Sequence, residues 1–235
     1  MRLYIIRHAE PDYENNTITQ KGHLEAKALA KRLKKEGITR IYSSPLGRAV
    51  HTATYTAKAT GLKIHIEPWT HELSVLKTET LKRWGPLMAW DLPGEVMRLK
   101  REHLNHDHWH KIPLLGDKLF RAEIKRVQKD SDSFLKRHGY ERKGGRYRVR
   151  KASRERIAIF CHGGLGLTWL SHLLEIPLPL MWTGFWMAPS SFSTVLFDMR
   201  SKEWAVPRCI GFCDISHLYG EKLEVSSHGI KTNFD

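Results

Sequence analysis

The feature that most constrains this chain is one design used twice, a short apolar run that ends in a histidine. Leu3-Tyr4-Ile5-Ile6 leads into Arg7-His8-Ala9-Glu10, and Ile157-Ala158-Ile159-Phe160 leads through Cys161 into His162-Gly163-Gly164. Runs this short read as buried strands rather than helices. In an α/β sheet, ligands bind in the crevice beyond the carboxyl ends of the strands, so both histidines stand where chemistry is done. Glycines at a strand-to-helix turn let the backbone approach an anion, and the helix that follows contributes free N–H groups. Two histidines of this kind with arginines beside them are the makings of a phosphate site.

The rest of the chain alternates strands and helices. Thr19 predicts the N-cap of a helix that runs to about Glu36 and stops at Gly37. Ala26, Leu29, Ala30 and Leu33 form its apolar stripe, and the lysines between them form a solvated face. Ile38 to Tyr42 reads as a strand. Ser44 as N-cap with Pro45 at the first helical position predicts a helix to about Thr60, with Arg48 in its first turn near the positive end of the dipole. Leu62 to Glu67 reads as a short strand. Gly116-Asp117 opens a helix carrying Phe120, Ile124, Val127, Phe134 and Leu135, and Gly139 closes it. A basic hairpin about Gly144-Gly145 follows, then an apolar helix from Leu165 to Leu174. A second hairpin joins Ser193–Asp198 to Trp204–Val206, and residues beyond Tyr219 are expected on the surface. Between Leu73 and Gly116 the pattern loses regularity yet stays too apolar for a linker. That stretch is expected to be an inserted cap with short helices. The alternation predicts a single α/β domain of three layers, α/β/α, with a mostly parallel central sheet.

Composition narrows the partners. At 235 residues the chain can bury a substantial core, and no apolar run approaches the ~20 residues of a membrane span. Charge follows directly after Ile6, so no export leader is expected. Cys161, Cys209 and Cys213 cannot all pair, which predicts a reducing, cytoplasmic setting. Lys and Arg exceed Asp and Glu by 39 to 25, a formal net charge of +14 that favours anionic partners. The basic stretch Arg137 to Arg156, with Tyr140 and Tyr147, carries no nucleic-acid-binding motif and reads as a solvated hairpin. The expected partner is a small phosphorylated molecule. Neither nucleic acid nor membrane is expected, and oligomeric state is not legible.

Neutral imidazole is a good nucleophile toward phosphorus, and a neighbouring guanidinium can clamp phosphate oxygens with two donors. At this point the sequence resembles the histidine phosphatase superfamily, the phosphoglycerate mutase-like proteins. Arg7-His8-Ala9-Glu10 is similar to its opening motif. Thr19-x-x-Gly22 with Glu25-Ala26, Ser43-Ser44-Pro45-Leu46-Gly47-Arg48-Ala49 with Thr52-Ala53, and Cys161-His162-Gly163-Gly164 are similar to the motifs that follow. The resemblance covers Met1 to about Glu72 and Arg156 to about Asp198. It implies His8 as the nucleophile that becomes phosphohistidine. Arg7, Arg48 and His162 would hold the phosphoryl oxygens, Glu72 would be the proton donor, and no cofactor or metal would be required. Glu67 is the alternative acid. Where relatives follow the first motif with Thr and Asn, this chain has Pro11 and Glu14. Where they carry Gly-x-Trp-Glu-Gly, it has Ser74-Val75-Leu76. These departures favour a phosphomonoesterase over a mutase. The mutase, and a non-catalytic binding protein on the same fold, are the alternatives.

Other chemistries fit poorly. Six residues after Cys161 stands Leu167, not the arginine of a cysteine phosphatase loop, and no Gly-x-Ser-x-Gly elbow exists for an esterase. His103, His106, His108 and His110 read as polar surface. Cys209, Cys213 and His217 lack a recognised metal-ligand spacing. Trp84, Trp90, Trp109, Trp182 and Trp186 are candidates for a partly aromatic site mouth.

Overall fold

Period-two alternation along the first strand divides the molecule into layers. The computed structural model describes residues 1–73, 87–112 and 115–230, with the backbone of 77–78. The chain runs β1 (Arg2–Arg7), β2 (Pro11–Asp12), β3 (Thr17–Ile18), α1 (Gln20–Glu36), β4 (Arg40–Ser43), α2 (Gly47–Thr60) and β5 (Ile64–Ile66). Then follow β6 (Lys77–Thr78), β7 (Leu87–Met88), α3 (Gly94–Met97), α4 (Lys118–Arg137), β8 (Tyr140–Lys143) and β9 (Arg146–Val149). The last part holds β10 (Arg156–Cys161), α5 (Gly163–Leu174), α6 (Leu178–Gly184), β11 (Phe192–Asp198), β12 (Trp204–Asp214) and α7 (Ser216–Gly220).

Among the described residues one sheet of eight strands runs in the order β5-β4-β10-β1-β11-β12-β9-β8. Strands β5, β4, β10 and β1 are parallel, and the two hairpins extend the sheet antiparallel beyond β1. Leu3 and Ile5 face a core shared with Ile157, Ile159 and the apolar sides of α4, α5 and α6. Tyr4 and Ile6 face the other core, with Ala158, Phe160, Leu29 and Leu33 of α1 and Ala49 and Ala53 of α2. The result is the expected three-layer α/β arrangement, with helices on both faces of the sheet.

Helix α5 is buried on nearly every side, as its unbroken apolar sequence requires. Its Trp169 is fully buried, donates from Nε1 to Ser131 Oγ at 2.6 Å and meets Trp69 edge-on at 4.9 Å. Helix α1 begins and ends as its sequence predicts, with the Thr19 hydroxyl accepting from Gly22 N and Gly37 in the left-handed region. Several boundaries differ. The second strand is Arg40–Ser43, β12 runs on to Asp214, and α2 starts at Gly47 rather than Pro45. Of the segment 73–116, the described parts are the β6–β7 pair, α3 and single turns of 3-10 helix. Leu87, Ala89, Leu92, Met97, Ile112 and Leu115 are buried in the α5-side core. Ser74-Val75-Leu76 and Trp84 lie outside the described residues.

One buried group in α1 has a measurable consequence. Glu25 is fully buried, and its Oε2 accepts from the Glu10 backbone N–H at 2.8 Å. Its Oε1 has no partner among the described residues. Burial pushes its pKa up to about 7, against the one N–H that favours the anion. A carboxyl raised above its unfolded value of ~4.3 stabilises the fold most below that value, and the contribution is lost as pH rises through the folded pKa. Glu25→Gln therefore removes a loss on the order of 3 kcal/mol between about pH 4.5 and 8. Urea unfolding at pH 5 and pH 8 checks this. The variant should be the more stable protein at pH 8, and equal pH slopes in the two proteins would contradict the assignment.

Candidate active site

The site is assembled by strand register. Strands β1 and β10 pair in parallel with Arg7 opposite Cys161, so the residue after each strand falls beside its counterpart. His8 N donates to Cys161 O at 2.9 Å, and the His8 and His162 rings lie 5.1 Å apart, edge to face. On the other side of β10, Ser43 pairs with Phe160. Ser44, the next residue, donates its backbone N–H to Phe160 O at 2.8 Å. Its hydroxyl lies 2.8 Å from His162 Nε2 and accepts from Leu46 N at 3.3 Å. The hydroxyl expected as an N-cap thus serves His162 as well as Leu46 N, while α2 itself starts at Gly47 with Leu46 at the cap position. Arg48 still falls in the first turn.

The hydrogen bonds settle the tautomer of His8. Its Nδ1 lies 2.7 Å from the Ala9 carbonyl oxygen, which can only accept, so Nδ1 carries the proton and Nε2 is unprotonated. Arg48 Nε lies 3.3 Å from that Nε2. Burial, and then the charge of Arg7, hold the His8 pKa well below the usual histidine value, so the ring is neutral. His162 is likewise held low by burial and by the nearby His8. Its Nδ1 is buried and has no partner among the described residues. Arg7 donates from Nη1 to Met187 O at 2.6 Å and from Nη2 to His228 O at 3.0 Å. Its Nε is buried without a partner among the described residues. Arg48 donates from Nη1 to Asn16 Oδ1 at 3.3 Å and stands over the Tyr13 ring at 5.2 Å. A buried polar group left unpaired costs about 1–3 kcal/mol. An oxyanion among Arg7 Nε, Arg48 and His162 Nδ1 would offset that cost.

Glu72 lies at the start of α5. Its carboxylate accepts from Leu73 N at 3.1 Å, Gly164 N at 3.2 Å and Leu165 N at 2.8 Å. Burial raises its pKa, and the three N–H groups hold back part of the rise. Glu67, the alternative acid, is committed elsewhere: it accepts from Trp69 Nε1 at 3.0 Å and from Arg137 Nη2 at 2.5 Å. Trp90 packs over the same turn that holds Glu72, and a Cβ on Gly164 would come within 2.5 Å of its ring. Of the other tryptophans, Trp182 is buried in the core with Nε1 donating to Thr168 Oγ1 at 3.1 Å, and Trp109 packs on Phe120. Trp182 is therefore a core residue and not part of a site mouth. Among the described residues, no three His, Cys, Asp or Glu side chains come together as a metal site.

Several site residues escaped the sequence reading. The sequence predicts Ser44 as a cap and gives no signal for Tyr13, Asn16, Met187 or His228. Thr52 stands in the second motif, and here its hydroxyl accepts from Ala9 N at 3.0 Å and donates to Arg48 O at 2.7 Å, tying the two motifs together. The region beyond Tyr219, expected on the surface, folds back: Ser226 is buried and the His228 carbonyl touches Arg7.

Fold and site define an α/β protein whose strand ends gather a neutral histidine, two arginines and a second histidine around a space suited to an oxyanion. Residues 3–108 match the model of the histidine phosphatase superfamily, branch 1. That stretch, which holds His8, Arg48 and Glu72, is similar to the histidine phosphatase superfamily. A probable phosphoglycerate mutase, GpmB, of Photorhabdus laumondii is 34% identical over 82 residues, 31% of this chain and 38% of that protein. A putative phosphoserine phosphatase 2 of Hydrogenobacter thermophilus is 30% identical over 97 residues, 37% of this chain and 48% of that protein. The chain thus spans less than half the length of these curated relatives. Among solved structures, a mutant phosphoserine phosphatase from Entamoeba histolytica in complex with phosphoserine superimposes with a TM-score of 0.58 at 21% identity. That match covers 92% of this chain and 98% of the other. YhfR of Bacillus stearothermophilus gives 0.59 at 20% identity with the same coverage. At these identities the likeness speaks to the fold.

Proposed function

We propose that the protein is a phosphomonoesterase that works through a phosphohistidine on His8. The observation that carries this reading is the state of His8: neutral by burial, with Nδ1–H tied to the Ala9 carbonyl and an unprotonated Nε2 that accepts from Arg48 Nε. His8 Nε2 attacks phosphorus, and the bond to the leaving oxygen breaks as that oxygen takes a proton from Glu72. Water then attacks the phosphohistidine and gives its proton to the Glu72 carboxylate, which restores both groups and releases phosphate. Arg7, Arg48 and His162 meet the charge on the transferring oxygens, the electrostatic and positioning role that dominates phosphoryl transfer. The positive surface draws anionic substrates, and the segment 73–116, as a cap, selects among them. The names of the neighbours, phosphoserine and glucosyl-3-phosphoglycerate phosphatases, point to small phosphorylated metabolites.

The names of the relatives favour a second reading, a mutase that returns the phosphoryl group to another hydroxyl of the same substrate. A panel of phosphorylated metabolites, scored for released phosphate and for isomerised product, tests both. Phosphate release from at least one small phosphomonoester is expected. Isomerisation of phosphoglycerate faster than phosphate release would replace hydrolysis with the mutase reaction.

A further inference from the structure

Arg7 is met from a distant part of the sequence. After α7 the chain turns back toward β1, and residues 226–230 lie against the site. The Ser226 hydroxyl is buried and accepts from His228 N at 3.4 Å. Ile230 N donates to Ser227 O at 3.0 Å, which closes a turn. That turn presents the His228 carbonyl to Arg7 Nη2 at 3.0 Å and sets the His228 ring 5.3 Å from Tyr13, whose own ring lies 6.4 Å from His8. Gly229 is in the left-handed region at φ +88, and a Cβ there would fall 2.9 Å from Arg7 Nη2. Only glycine allows the backbone to seat flat on the guanidinium at this point.

Arg7 has five N–H donors in a rigid plane. Two carbonyls, Met187 O and His228 O, take one donor from each Nη, on opposite ends of the fork. A planar group held at both ends can turn neither about Cζ nor along its stem, so Nε, otherwise unpaired and buried, keeps one direction. We infer that the segment Ser226–Ile230 is a positioning strap for Arg7, fixing its guanidinium so that Nε and the free Nη hydrogens meet the phosphoryl oxygens of the substrate. The inference rests on the phosphatase reading for the identity of the ligand, while the strap itself is a matter of anion binding. Freezing the fork in advance removes the rotamer cost of closing a bidentate pair, the gain expected of preorganisation.

Gly229→Val breaks the seat, because the side chain is strained at this φ and collides with the guanidinium. Ser226→Ala loosens the strap without a collision. Orthovanadate, a tetrahedral phosphate analogue that can become five-coordinate on binding and so mimic the transferring phosphoryl group, is titrated by calorimetry into the parent and both variants, with melting temperature as a check on the fold. Gly229→Val should weaken the vanadate Kd at least tenfold and Ser226→Ala about threefold, at unchanged stoichiometry. A segment that only stabilised the fold would lower stoichiometry or melting temperature and leave Kd alone. That result, or a Kd for Gly229→Val within twofold of the parent, overturns the strap. Release of nitrophenol from 4-nitrophenyl phosphate by the parent is measured alongside. If the Kd pattern holds and the parent releases none, the phosphatase reading fails and the strap stands; the reverse pair of results removes the strap alone.

Discussion

His8→Ala should lower kcat/KM for phosphomonoesters by at least ~10⁴-fold, about 5.5 kcal/mol of transition-state stabilisation. The size follows from what is removed. The unprotonated Nε2 is the atom proposed to bond phosphorus, and the residues around it offer no second nucleophile in its place. His162 Nε2 is engaged with the Ser44 hydroxyl at 2.8 Å, and Cys161 is buried with its thiol pKa pushed up by burial. Arg7, Arg48 and His162 remain in the variant, so phosphate and vanadate should still bind, which separates lost chemistry from a lost site. Rapid acid quench of the parent with labelled substrate should trap no label, and alkaline quench should trap one phosphoryl group per active site, because an N–P bond is labile to acid and stable to base. In His8→Ala the alkaline trap should be empty. Equal phosphate release by the two proteins would end the phosphohistidine mechanism.

Glu72→Gln has the second largest expected effect, and it depends on the leaving group. General acid catalysis contributes about 10²–10⁴-fold, so kcat on an alkyl phosphate should fall by that order. Nitrophenolate leaves without a proton, so 4-nitrophenyl phosphate should give a near-normal first turnover followed by slow release, because the amide cannot take the proton from the attacking water. The pH profile carries the same signature. The acid form of Glu72 is the donor and burial raises its pKa, so activity is present below that pKa and is lost as pH rises through it. His8 must be neutral to attack, and its pKa is held well below the usual histidine value, so the acid limb lies below about pH 6.5. Glu72→Gln should abolish the alkaline limb and leave the acid limb in place. Loss of both limbs together, or an equal drop on alkyl and nitrophenyl substrates in the first turnover, would reassign the donor.

Much of the fold was legible because local rules decided it. Thr19 and Gly37 bound α1 as a cap and a left-handed stop must, and the unbroken apolar run of α5 left it nowhere to lie but inside. The misreadings occur where one side chain had two claims on it. Ser44 beside Pro45 is a good helix start by propensity, yet the helix begins at Gly47 and the Ser44 hydroxyl also bonds a histidine 118 positions away. Polar composition beyond Tyr219 favours the surface, yet Ser226 is buried and the His228 carbonyl two residues on accepts from Arg7. No periodicity reports a contact of that range.

The sequence by itself determined which residues stand at the strand ends. Each apolar run ends as a polar residue follows, so His8 and His162 come at the strand ends and not within the sheet, and Ser44-Pro45 keeps Arg48 in the first turn of its helix. Only the tertiary structure decided that these residues form one site. A register with Arg7 opposite Cys161 brings the histidines to 5.1 Å. A slip of one residue would turn every side chain of β1 to the other face. Register is a property of the packed sheet, set by which alternation fills both cores at once. The state of the nucleophile was decided there too, since burial keeps His8 neutral and one backbone carbonyl leaves Nε2 unprotonated.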